Sequence, residues 1–184
     1  MKGLQKVKFV SNQNDHKKMK KTIFNTDSNN WAAALCRVAL GAVLFPHGAQ
    51  KLLGWFGGFG FDGSMGFFTG TIGLPWILGF LVILIEFFGA ISLILGFATR
   101  VWSFAIVVLT AGIIQTSHSQ FGFFMNWMGN QKGEGFEYFI LMLGLSVSLI
   151  VSGAGRYSID SWIFSKKPSG EQFKTTLTKD AIFG

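Results

Sequence analysis

The chain has 184 residues, of which 49% are hydrophobic and only 14% charged, and phenylalanine alone fills 21 positions. So little charge cannot cover a water-facing surface, which excludes an ordinary soluble domain and points to a membrane protein. The formal charge of +7 does not point to nucleic acid, because the basic residues form no stripe: seven lysines precede the first apolar segment, and Arg156, Lys166, Lys167, Lys174 and Lys179 follow the last.

Residues 1–29 are polar, lysine-rich and without sustained apolar periodicity, as expected of a flexible cytoplasmic tail. The apolar run that begins at Trp31 has no small-residue cleavage site after it and reads as a retained anchor. The first crossing extends from about Asn30 to Gly54, changing character at Pro46-His47-Gly48, a helix-ending context, and it contains the lone Cys36, which excludes an intrachain disulfide. Phe56 to Pro75 is too glycine-rich to span. As a helix it would put Gly63, Gly66, Gly70 and Gly73 on one face, the pattern of a short interfacial or re-entrant helix, although a loop with glycines at its turns accounts for it equally well.

The second crossing, Pro75 to Phe97, covers roughly 34 Å at helical rise, enough for the hydrocarbon core. The third runs from about Val101 to His118 and the fourth from Phe136 to Ser152. The expected architecture is therefore an all-α bundle of four transmembrane helices over residues 30–162, with residues 163–184 as a second cytoplasmic tail. Thirteen basic residues fall on the side that holds both termini, against Lys51 and Lys132 on the other, so both termini are expected in the cytoplasm.

The ionisable residues inside this apolar frame carry the functional question, because a charge in hydrocarbon costs at least roughly 2.5–3.5 kcal/mol unless it is partnered. Glu86 lies near the middle of the second crossing and Arg37 enters the first from the cytoplasmic end, so an Arg37–Glu86 ion pair is expected to pin the two helices. His47, Lys51, His118, Glu134 and Glu137 gather where helices meet the outer face, with Lys51 expected near Glu137. With Glu86 they form a candidate pocket for a headgroup or small molecule, or else a polar cap that orders the helix ends. The two histidines and the carboxylates come from separate helices with no His pair at i, i+4, so no metal site is assigned.

Taken in order, Arg37-x-x-x-Gly41, Phe45-Pro46-His47-Gly48-x-x-Lys51, Glu86-x-x-Gly89, Gly96-x-x-Thr99-Arg100, His118 and Gly133-Glu134-Gly135-Phe136-Glu137-Tyr138 resemble the DoxX family of bacterial membrane proteins over residues 31–162. The resemblance implies a four-helix inner-membrane protein related to the DoxD-type subunit of thiosulfate:quinone oxidoreductase. It further implies work inside a membrane oxidoreductase assembly beside a partner redox subunit or a second copy. No haem, flavin or nicotinamide motif is evident, so redox work implies a quinone-associated or scaffold subunit rather than a self-sufficient enzyme, and no catalytic residue is assigned. Two other readings use the same residues: a small-solute or proton-coupled transporter with Glu86 as carrier, and a purely structural subunit.

Overall fold

The computed structural model describes residues 27–164, within which every regular element is helical. Most of the two expected tails therefore lies outside the described residues. Helix α1, Trp31–Leu53, starts at Asn30, whose side chain accepts the Ala33 N–H at 3.0 Å, and stops at Gly54, which takes the left-handed conformation (φ 72°) that glycine adopts without strain. It does not end at Pro46-His47-Gly48: the helix continues through the proline and carries His47 and Lys51 on its last two turns.

A short helix, α2 (Gly60–Gly66), follows and widens into a π-helical turn over Phe67–Thr71. Helix α3, Trp76–Leu95, contains a second π turn at Ile85–Gly89, and α4, Thr99–Phe121, contains a third at Ile114–His118. After a long loop come α5, Glu137–Ser152, and the short α6, Ile159–Phe164. Helices α1, α3 and α4 are long and apolar enough to cross a membrane, whereas α5 is an apolar helix of 16 residues.

Helices α1 and α3 cross closely because α1 offers glycine at the contact. A Cβ on Gly48 would lie 2.5 Å from the Phe87 Cα, and one on Gly41 would lie 2.8 Å from the Ala90 carbonyl oxygen. The main core gathers Leu40 and Leu44 of α1, Leu93 of α3, Ile106 of α4 and Leu149 of α5. A second cluster seats Met65 and Phe68 of the glycine-rich segment against Ile83 of α3. The segment is helical over Gly60–Gly66 and Phe67–Thr71 and packs through Met65 and Phe68 rather than through a glycine face; a Cβ at Gly66 or Gly70 would meet nothing.

The expected Arg37–Glu86 pair does not form. Arg37 is buried, and its guanidinium gives all five N–H bonds to backbone carbonyls at 2.5–3.0 Å: Leu93 and Ile94 at the end of α3, and Ala154, Arg156 and Tyr157 in the turn after α5. The reason is helix register. Leu93 lies seven residues beyond Glu86, roughly 10 Å along the axis, so Arg37 is level with the C-terminus of α3, where unpaired carbonyls and the negative end of the helix dipole attract a cation. Gly96 is obligatory here, since a Cβ would fall 2.3 Å from the Ser158 Cβ and 3.0 Å from the Arg37 Cζ. Asp160 completes the junction by capping α4, its two carboxylate oxygens accepting the Ala98 and Thr99 N–H groups at 2.8 Å each.

Candidate functional site

Glu86 is buried on the π turn of α3 and takes Lys51 as its partner, with Nζ 2.5 Å from Oε2. Lys51 stands near the end of α1, and its side chain runs back toward the previous turn, leaving Nζ 3.5 Å from the His47 carbonyl. The pair is unequal in burial: 5% of the Glu86 side chain is exposed against 26% for Lys51. The second carboxylate oxygen of Glu86 has no hydrogen bond among the described residues.

This pair backs a cavity of about 490 Å³. Its walls are apolar, with Phe67, Phe68 and Ile72 following α2, Leu78, Leu81 and Ile85 on α3, Val108 and Ile113 on α4, and Met142 on α5. All three π turns reach it, contributing Phe67 and Phe68, then Glu86, then Thr116, Ser117 and His118. Such turns redirect side chains that an unbroken α-helix would aim elsewhere, and they are often found at functional sites.

Two imidazoles share the cavity with the ion pair. His118 is half-buried, lies 4.5 Å from the Phe139 ring centroid, and bonds through Nδ1 to the Glu134 carbonyl at 2.8 Å. A carbonyl only accepts, so Nδ1 carries the proton, and Nε2 of the neutral ring is an acceptor with no protein partner among the described residues. His47, itself exposed, lines the same cavity, and among the described residues its ring nitrogens have no hydrogen-bond partner. The cavity thus offers one ammonium donor, one carboxylate and two imidazoles, with the hydroxyl-bearing Thr116, Ser117 and Tyr138, on a mostly apolar surface, which suits a flat lipophilic molecule with polar oxygens at its edge.

Four of the six residues expected in a pocket, His47, Lys51, Glu86 and His118, therefore line one cavity. Glu134 and Glu137 do not. Glu137 Oε1 accepts from the Met125 N–H (3.1 Å) and the Trp127 indole (2.9 Å), and Glu134 Oε2 accepts from the Asn126 N–H (2.7 Å). Both carboxylates clamp the loop between α4 and α5, and the expected approach of Lys51 to Glu137 is replaced by the Lys51–Glu86 pair, which lies closer in register. Sequence reasoning missed Tyr138, Thr116 and Ser117 in the lining. Tyr138 was legible as the last residue of Gly133-Glu134-Gly135-Phe136-Glu137-Tyr138, but Thr116 and Ser117 sit on a π turn, which no spacing announces.

Residues 32–119 match the model of the DoxX family. That segment contains His47, Lys51, Glu86 and His118 and neither loop-clamping glutamate. A protein of Bacillus subtilis (strain 168) named "Putative oxidoreductase CatD" is 30% identical over 136 residues, covering 74% of this chain and 90% of that protein. No solved structure matches the chain.

Proposed function

The chain belongs to the DoxX family of membrane proteins, and on that premise we propose that it is the quinone-associated subunit of a bacterial inner-membrane oxidoreductase, with four crossings and both termini in the cytoplasm. The observation that carries this reading is the apolar cavity of about 490 Å³ backed by Lys51–Glu86 and edged by His47 and His118. A quinone head is a flat ring with two carbonyl oxygens, and reduction to the quinol takes two electrons and two protons. In this reading a partner subunit handles the electrons. Lys51 donates to one ring oxygen, His118 Nε2 accepts from a hydroxyl of the reduced form, and the aromatic and aliphatic walls keep water from the ring.

The name of the Bacillus subtilis relative supports an oxidoreductase setting. The topology rests on the basic residues, thirteen of sixteen on the side of the termini. It counts α5 as a fourth crossing, and α2 with its π turn as a re-entrant segment dipping beside the cavity. A reporter active only outside the cytoplasm should stay silent when fused after Gly184 and be active when inserted at Asn130; the reverse pattern overturns the topology.

The functional test is a solvent extract of the full chain purified in mild detergent. Quinone should be present at near one per chain, and His118→Ala should lose most of it while Glu134→Gln keeps it. An extract without quinone, together with proton-coupled flux in liposomes, would replace this reading with the carrier one.

A further inference from the structure

We propose that the cavity is entered sideways from within the bilayer, through an opening between α3 and α4, and that the alkyl tail of its ligand rests in that opening. The proposal deepens the quinone reading and rests on it for the identity of the head. The cavity has a closed back and an open side. Leu44, Glu86, Leu109 and Met142 are all buried, whereas Leu78 and Leu81 on α3 are 45% and 39% exposed and Val108 on α4 is 57% exposed.

The open side falls within the two helices Trp76–Leu95 and Thr99–Phe121, both apolar enough to span a membrane, so what faces Leu78 and Val108 is hydrocarbon. The opening follows from how the helices pack. Helix α4 packs against the π turn of α3 and the segment after it, while the α3 segment before the turn packs instead on α1 and α2. Gly112 widens the rim: it is exposed, it lines the cavity, and a Cβ there would meet nothing within 4 Å.

Size and hydration favour the same route. A volume of about 490 Å³ lies within the roughly 300–1,000 Å³ of sites that enclose a drug-sized molecule, enough for a ring and the first part of a chain but not for a long isoprenoid tail. The remainder has to leave the cavity. Leaving it in water would weaken binding by about fourfold per methylene, whereas an exit at hydrocarbon depth carries no such penalty.

The test uses the full chain in lipid nanodiscs and two probes, a tail-free quinone and the same quinone with a ten-carbon tail. The tailed probe should bind more tightly after correction for its partitioning into lipid, and Gly112→Trp should remove that gain, weakening the tailed probe at least tenfold and the tail-free one much less. Gly144→Trp, the same change at an exposed α5 glycine that also has open space and lies off the cavity, should alter neither. A spin label on Val108→Cys in a Cys36→Ser background should collide freely with oxygen and rarely with a water-soluble nickel chelate, and the tailed probe should lower the oxygen collisions. A label at 108 that meets the nickel chelate overturns the side opening whatever binds, as does equal weakening of both probes by Gly112→Trp. A lipid-facing label with neither probe bound overturns the quinone reading and leaves the opening standing for another lipophile.

Discussion

Arg37 and Lys51 stand on the same helix, roughly 21 Å apart at helical rise, and each carries a positive charge into an apolar bundle. Their surroundings differ. The Arg37 guanidinium meets five carbonyls with five donors, in a junction where glycine is forced by contacts under 3 Å, and nothing is left over for a ligand. Lys51 meets one carboxylate, itself half-used, beside two imidazoles that among the described residues keep unbonded ring nitrogens, and open space of about 490 Å³. A buried charge in a membrane protein is a functional candidate by default, and this pair supplies a criterion for sorting such candidates: whether the protein uses up the group's hydrogen-bonding capacity. By that measure the Arg37 end holds the fold together and the Lys51 end can do chemistry.

The contrast breaks most visibly at Arg37. Arg37→Leu leaves five carbonyls without their donor in a tightly packed junction, and each buried unsatisfied group costs about 1–3 kcal/mol. Even with water admitted, the loss should exceed about 4 kcal/mol, a size reserved for failures of this kind. The folded chain should not accumulate, as read by monodisperse yield in detergent, and Arg37→Lys, with a compact ammonium in place of the planar fork, should rescue little. A stable Arg37→Leu protein that has lost only the quinone proposed for the cavity would reverse the assignment of the two ends.

At the other end the effects should be smaller and unequal. Lys51→Met strands the Glu86 carboxylate, whose side chain is 5% exposed, and should cost about 2–3 kcal/mol, below the full range for a broken buried pair because Lys51 is itself partly exposed. Glu86→Leu should cost about 1 kcal/mol, since the lysine can turn its ammonium toward water. The double variant Lys51→Met/Glu86→Leu should come back to within about 1 kcal/mol of the parent in thermal melting while losing the quinone proposed for the cavity. Additive losses would mean that the pair contributes no coupling.

The same difference explains what could be read in the sequence. Helices α1, α3 and α4 were legible because twenty or so apolar residues bounded by glycine, proline or polar residues leave few alternatives, and the cavity histidines stood out as polar residues at the ends of apolar runs. The partners of Arg37 were not legible. They are backbone carbonyls, which every residue has, and residue types cannot say which ones a helix end leaves free. Asp160 was overlooked for a related reason: it caps a helix that begins 61 residues earlier, so no local capping pattern marks it. The Lys51–Glu86 pair needed the relative register of α1 and α3, set by Gly41 and Gly48 against Phe87 and Ala90, and a glycine shows only that something comes close.

The loop between α4 and α5 offers the mildest test of the comparison, because its two glutamates look like site residues by type and yet bind the loop rather than line the cavity. Glu137 spends one oxygen on the Met125 N–H and the Trp127 indole, and Glu134 spends one on the Asn126 N–H, while Trp127 itself is largely exposed. Glu137→Ala should therefore cost about 1 kcal/mol, the net worth of hydrogen bonds formed at a wet surface. Its signature should be local: faster chymotrypsin cleavage within residues 122–136, with melting nearly unchanged and quinone retained. His118 links the loop to the cavity, since its Nδ1 is held by the Glu134 carbonyl while the ring lines the cavity. Because that bond is to the Glu134 backbone and not to the Glu137 side chain, the His118 ring should keep its tautomer, and retention should hold, whatever the gain in cleavage. Loss of quinone without any gain in cleavage would instead return Glu137 to the cavity and break the rule by which the two ends were told apart.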